Sequence, residues 1–292
     1  MNTPVPGPSS PSRFGAVLGR LSPRRLTGRQ RTLLVCAVPL AALFAVVALA
    51  PLPFALAQPG LTADVIGDSK HKPVITLSGE KGRKTGPGEG KLLMTTIAAT
   101  QPGATVRLPE VAEAWFRTDR AAMPVDAVYP VGDNLKEIEK HNRGEMRESQ
   151  NAAVKAALRY LHKSPRDVRV TLRLADVGGP SAGLFFSLGV IDKLGGGDGG
   201  RGGTGGGLTG GRVIAGTGTI KADGTVGPVG GVPLKTKAAK RDGASVFLVP
   251  RAECADAVAE RPKGLRLVPV DTLGGAVKAL RALKGGGRVP AC

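Results

Sequence analysis

The longest apolar block in the chain is LLVCAVPLAALFAVVALA at 33–50, and it runs on through Pro51, Leu52, Pro53 and Phe54 to Ala57. It exceeds the roughly 20 residues that cross a bilayer core. Beyond it the pattern changes. KLLMTTIAA at 91–99 predicts a strand, and Glu145 to His162 predicts an amphipathic helix. In that helix Val154, Ala157, Leu158 and Leu161 share one face, and Pro165 closes the segment. VRVTLRL at 168–174 alternates cleanly: Val168, Val170, Leu172 and Leu174 point one way, Arg169, Thr171 and Arg173 the other. An apolar helix follows from Ala182 to Leu194.

The later pattern is a strand from Arg212 to Ile220, an Asp223-Gly224 hairpin turn and a return over Thr225 to Val229. Gly230-Gly231 then turns the chain, and Pro233 stands where a first helical residue would. The helix reaches about Arg241. Strand 245–249, helix 252–259, strand 265–270 and helix 273–283 complete the chain. Alternating strands and helices predict an α/β or α+β domain, assigned here as α+β. It occupies 91–284, with 285–292 as a tail. Residues 58–90, rich in Gly, Pro and Lys, read as a linker holding one short strand at Val74 to Leu77.

Charge sharpens the N-terminal reading. The 292 residues carry a net charge of +18, and six arginines (Arg13, Arg20, Arg24, Arg25, Arg29, Arg31) lie in residues 1–31 with no acid among them. No charge occurs from Thr32 to Ala57. Arginines ahead of an apolar span place residues 1–31 in the cytoplasm, 32–57 across the membrane, and the rest outside. The competing reading is a secretory signal cleaved at Ala55-Leu56-Ala57; either way the bulk of the protein works outside the cytoplasm. The remaining positive charge is scattered among acids without interleaved aromatics, which argues against nucleic acid as a partner.

Of the three cysteines, Cys36 lies in the apolar span, while Cys254 and Cys292 lie in the exported part, where a disulfide persists. A bridge between them is expected, with two unpaired thiols as the alternative. The glycine-rich run from Gly195 to Gly211 lacks the Gly-Lys-Ser/Thr of a phosphate loop and reads as a surface loop. No metal or cofactor is implied.

The chemistry centres on VGGPSAGLFFS at 177–187. Glycines surround Ser181 and an apolar run follows it. One reading makes Ser181 a helix cap; the other makes it a nucleophile approached closely through the glycines. Gly179-Pro180-Ser181-Ala182-Gly183 fits G-x-S-x-G, but an α/β-hydrolase places its histidine after the serine. Here His71, His141 and His162 all precede it. A serine without a histidine needs another base, and a lysine with a lowered pKa can serve. Lys235 sits in the first turn of a predicted helix, beside Val232 and Leu234, where the helix dipole and burial both disfavour its charged form. A solvated helix lysine is the alternative.

Four motifs in order resemble the proteolytic domain of Lon-type Ser-Lys peptidases. They are Met146-Arg147-Glu148-Ser149, Gly179-Pro180-Ser181-Ala182-Gly183, Thr217-Gly218-Thr219-Ile220, and Pro228-Val229-Gly230-Gly231 with the lysine four residues on. The resemblance covers roughly Lys91 to Leu283. It implies a Lon proteolytic-domain-like fold, Ser181 as nucleophile, Lys235 as base and Thr217 as the lysine's support. It also implies ring-forming homo-oligomers. The family often carries Asp where this chain has Gly178, and the histidine pair of its ATP-dependent members is missing. The order of anchor, exported segment and domain resembles membrane-anchored PDZ-Lon proteins of bacteria. In those a PDZ domain stands where this chain has only residues 163–167.

The expectation is an ATP-independent serine endopeptidase acting on exposed or unfolded polypeptide, with backbone N–H groups at Gly178 and Gly179 as oxyanion donors. Two other readings remain at this point: a non-catalytic membrane-anchored scaffold with a Lon-like shell, and a charged module that binds anionic surfaces and weakens with salt.

Overall fold

A computed structural model describes residues 27–69, 71–80, 82–83, 86, 88–129, 131, 135–174, 179–195 and 207–292. Most of the basic N-terminus, Gly178 and the middle of the glycine-rich run therefore lie outside the described residues. The chain forms two units, one ending at Ala50 and the other beginning at Pro51.

The first unit contains α1 (Gly28–Leu49), 22 residues with no buried position and one internal proline, Pro39. At 1.5 Å per residue it is about 33 Å long, matching a hydrocarbon core. Its length and composition fit either a membrane anchor or a signal sequence.

The second unit opens with β1 (Phe54–Asp64), β2 (Asp68–Ser69), β3 (Lys72–Pro73), β4 (Ile75–Ser78) and β5 (Lys91–Ala99). Next come α2 (Leu108–Phe116), β6 (Ala121–Pro124), α3 (Val125–Val128), α4 (Leu135–Tyr160) and β7 (Arg169–Leu172). Then follow α5 (Gly183–Lys193), β8 (Val213–Gly216), β9 (Thr219–Ile220), β10 (Val226–Gly227) and α6 (Val232–Arg241). The chain ends with β11 (Val246–Pro250), α7 (Cys254–Ala259), β12 (Arg266–Val270) and α8 (Leu273–Lys284).

The main sheet has the order β12-β11-β8-β5-β1-β6. Its first four strands run parallel, while β1 is antiparallel to both β5 and β6. The period-2 alternation of strands sends successive residues to opposite faces. Leu92, Met94, Ile214, Leu248, Val268 and Val270 join one core with α4, α5 and α8. Leu93, Ala215, Phe247, Val249 and Leu267 join a second core with α6 and α7. The fold is therefore mixed α+β, with helices on both faces of one sheet.

Two boundaries differ from the sequence reading. Residues 54–57, expected at the end of the apolar span, and 58–64, expected in the linker, form β1 inside the main sheet. The confusion has a physical source. Ala55 and Ala57 are buried against neighbouring strands, so an apolar strand continues an apolar helix without a compositional break. Pro59 and Gly60 read as linker residues, yet they mark the register shift between Pro59 and Thr62 that bends β1 along β5. The rest of the expected linker holds β2, β3 and β4, and β4 pairs with β7 in a separate two-stranded ladder. The helix expected from Glu145 begins at Leu135. Its first turns are mostly exposed, so they lack the apolar periodicity that marks the later part.

Candidate active site

Ser181 lies in a single 3-10 turn, Pro180–Ala182, that feeds directly into α5. Gly179 caps that turn at φ +86, a conformation that favours glycine, and a Cβ there would meet nothing within 4 Å. The glycine is thus required by its backbone angle and not by a close approach among the described residues. The residues that cap the 3-10 turn and α5 are Gly179 and Ala182, so Ser181 stands at the cap position of neither. Behind it every residue of α5 from Gly183 to Asp192 is buried, and this fixes the turn on the core.

The segment after β8 locks onto the serine turn. Gly218 N–H donates to the Ser181 carbonyl at 2.9 Å, and Leu184 N–H donates to the Gly218 carbonyl at 3.1 Å. Thr217 N–H donates to the Leu248 carbonyl at 3.2 Å, which ties the same segment to β11. The Thr217 hydroxyl donates to the Ser181 carbonyl at 3.2 Å. On the other side Ser149 of α4 donates to the Pro180 carbonyl at 2.9 Å. The serine turn is held by α4, α5 and the β8–β9 connection together.

Lys235 comes from the first turn of α6. Gly231 caps that helix in the left-handed region at φ +67, where a Cβ would lie 2.8 Å from Ile97 Cγ2. Both the angle and the close approach require glycine. Lys235 is 4% exposed, and its Nζ donates to Thr217 Oγ1 at 3.1 Å. Burial lowers its pKa from 10.5 to about 8, against the opposing field of the Glu253 carboxylate. Thr217 therefore joins Lys235 to the backbone of Ser181 through two consecutive hydrogen bonds.

Glu253, which the sequence reading did not single out, is the buried carboxylate nearest in effect to Lys235. Its Oε1 accepts from the Val229 N–H at 3.2 Å, inside the Pro228-Val229-Gly230-Gly231 segment. Its Oε2 is buried and has no partner among the described residues. Burial raises its pKa, and Lys235 acts in the opposite direction. A topological signal was available: Thr217 follows β8 and Glu253 follows β11, and clefts in such folds open at the carboxyl ends of parallel strands.

A groove of 360 Å³ runs beside Pro180 between α4 and β9. Ser149, Ala152, Thr219 and Ile220 form its walls, with Glu148 and Lys221 at its rim. Of the remaining expected site residues, Gly179 adjoins the serine, while Gly178 is not among the described residues. Cys254 and Cys292 are joined as a disulfide with their Cα atoms 5.3 Å apart. Among the described residues no cluster of three His, Cys, Asp or Glu is gathered as metal ligands.

The mixed α+β unit thus holds a buried lysine, a bridging threonine and a serine turn beside the carboxyl end of the interior strand β8. The chain is distantly similar to Lon protease 2 of Bacillus subtilis (strain 168), with 25% identity over 192 residues. That match covers 64% of this chain and 30% of the relative, so the chain spans under a third of the relative's length. No family model matches the chain.

Proposed function

We propose that the unit beginning at Pro51 is a serine endopeptidase of Lon type that works through a Ser181–Lys235 dyad without ATP. The observation that carries this reading is the buried Lys235, whose Nζ bonds Thr217 while Thr217 bonds the carbonyl of Ser181. A lysine with a pKa of about 8 is neutral in a usable fraction at neutral pH, which is what a general base requires.

In this mechanism neutral Lys235 removes the Ser181 hydroxyl proton as Oγ attacks the substrate carbonyl carbon. The resulting ammonium returns the proton to the leaving amine, which departs and leaves an acyl-enzyme. Water then attacks the ester, Lys235 again takes the proton, and Ser181 is regenerated. Thr217 keeps the amine aimed at the serine turn. The Gly179 N–H is the proposed donor to the developing oxyanion, an interaction worth about 3 kcal/mol per donor. The groove beside Pro180 accommodates substrate side chains next to the nucleophile. With α1 as a retained anchor and its arginines in the cytoplasm, the substrates are exposed segments of extracytoplasmic polypeptides. The similarity to a Lon protease supports the reaction class.

The test is cleavage of an unfolded polypeptide by the full chain without nucleotide, beside Ser181→Ala and Lys235→Ala. Turnover by the wild type alone is the expected result. A folded wild type as inert as both variants, while still retaining a partner, would favour a scaffold role instead.

A further inference from the structure

In the unit beginning at Pro51 two large aromatics stand apart from the rest. Phe185, Phe186 and Phe247 are fully buried, but Trp115 and Phe116 at the end of α2 are 85% and 90% exposed. Leu108, one helical repeat before Trp115, is 40% exposed, and Ala114 is the one buried residue of the helix. Positions 108, 112, 115 and 116 share one side of a 3.6-residue helix. α2 therefore turns a small apolar stripe, ending in an aromatic pair, away from its own core.

The acidic residues around this stripe are engaged, two of them in ion pairs. Glu110 accepts from the Arg107 N–H at 2.8 Å. Glu113 lies 3.4 Å from both Arg117 and Arg120, and Asp119 accepts from Arg117 at 2.8 Å. Glu113 and Asp119 are thus paired with arginines, which limits their repulsion of an anionic lipid surface.

Covalent connection supplies the occupant. Leu52 N–H donates to the Val106 carbonyl at 2.8 Å, and α2 begins two residues after Val106. Leu52 follows the last residue of α1, Leu49, by three residues. At about 3.5 Å per residue the Leu52–Val106 bridge stays within roughly 10 Å of the end of α1. α2 is itself only about 13 Å long. When α1 spans a bilayer, the root of α2 is held at the membrane surface, where Trp and its apolar neighbours are most favourably placed.

We propose that the α2 stripe of Leu108, Trp115 and Phe116 inserts into the headgroup–acyl boundary of the same bilayer that α1 spans, giving the folded unit a second membrane contact. The inference rests on α1 being a retained anchor and is independent of the peptidase reading.

Trp115 is the single tryptophan of the chain, so its fluorescence reports on this site without labelling. The full chain is reconstituted into phosphatidylcholine–phosphatidylglycerol vesicles, with and without acyl-chain-brominated phosphatidylcholine, and first checked by flotation. The expected result is loss of Trp115 emission with brominated lipid, protection from aqueous iodide, and a marked reduction of the bromolipid quenching in Phe116→Asp. Three outcomes overturn it. Floating protein whose Trp115 is quenched by iodide and not by bromolipid leaves the stripe in water. Protection from both quenchers makes the cover protein, such as a second copy. Bromolipid quenching unchanged in Phe116→Asp means that the tether alone brings Trp115 to lipid. Failure to float removes the anchor and the contact together, a result distinct from the other three.

Discussion

Lys235 Nζ donates to Thr217 Oγ1 at 3.1 Å, and it does so from a side chain that is 4% exposed. Thr217 is fully buried. Its hydroxyl has one proton and gives it to the Ser181 carbonyl, so its lone pairs are what it offers the lysine. A threonine can serve both neighbours at once, and an apolar residue of the same shape can serve neither. Thr217→Val should therefore lower the turnover of an unfolded polypeptide by roughly 5- to 100-fold, the equivalent of about 1–3 kcal/mol for a lost buried bond. KM should stay near its wild-type value, and Thr217→Ser should recover most of the loss. Equal KM and kcat effects in both variants would mean that Thr217 shapes the substrate groove and not the amine.

In the proposed dyad the lysine sets the pH dependence. Its folded pKa is about 8, and only the neutral amine accepts the serine proton. The rate should rise through about pH 8 and level off above it. The Glu253 carboxylate favours the ammonium form, so it holds that limb higher than burial alone would. Glu253→Gln keeps an acceptor for the Val229 N–H and removes the charge. Its limb should move to lower pH. A limb that stays in place or moves to higher pH would show that the carboxylate does not act on Lys235.

The same burial destabilises the fold at neutral pH. The unfolded chain binds the Lys235 proton with a pKa near 10.5 and the folded chain with one near 8. Below pH 8 the folded state thus carries a penalty of about 3 kcal/mol, and the penalty fades as pH rises from about 8 to 10.5. Lys235→Met fills the same space without the charge and gives up one hydrogen bond worth about 1 kcal/mol. It should be more stable than wild type by about 2 kcal/mol in urea unfolding at pH 7, inactive, and no more stable at pH 10.5. Such a gain on removing a functional residue is the usual sign of a strained site.

How much of this was legible in the residues follows from what each signal depends on. β5 at KLLMTTIAA, α6 after the Gly-Gly pair and the strands near 246–250 and 266–270 were readable because local periodicity and turn chemistry agree with the fold. β1 was not, because its alanines are apolar without being long, and its Pro59-Gly60 bulge looks like a linker until β5 is beside it. α2 and β6 passed unnoticed because α2 exposes its large apolar residues and buries a small one, Ala114, the reverse of an ordinary amphipathic pattern. Ser181 stands out by its glycines and Lys235 by its place in a first helical turn, and motif order supports both and adds Thr217. Glu253 was not, because a lone glutamate at a helix start is unremarkable until the ends of β8 and β11 place it on the lysine side of the site.

Gly183, the last residue of the Gly179–Gly183 motif, has a role that the sequence alone did not separate from Gly179. A Cβ at Gly183 would lie 2.7 Å from Ile220 Cγ2, 2.9 Å from Ser149 Oγ and 3.2 Å from the Ile220 nitrogen. Two of these atoms belong to β9 and the third is the hydroxyl that holds the Pro180 carbonyl. An alanine must therefore push β9 and α4 apart at the root of the serine turn. Overpacking of this kind costs about 1–3 kcal/mol, and here the strain falls on the groove wall and on the Ser181 turn together. Gly183→Ala should lower both the unfolding midpoint and the turnover. Adding Ser149→Ala removes one of the clashing atoms, so the double variant should lose less stability than the two single variants summed. Strict additivity in that cycle would place the cost at Ile220 alone and leave Ser149 as a bystander in positioning Ser181.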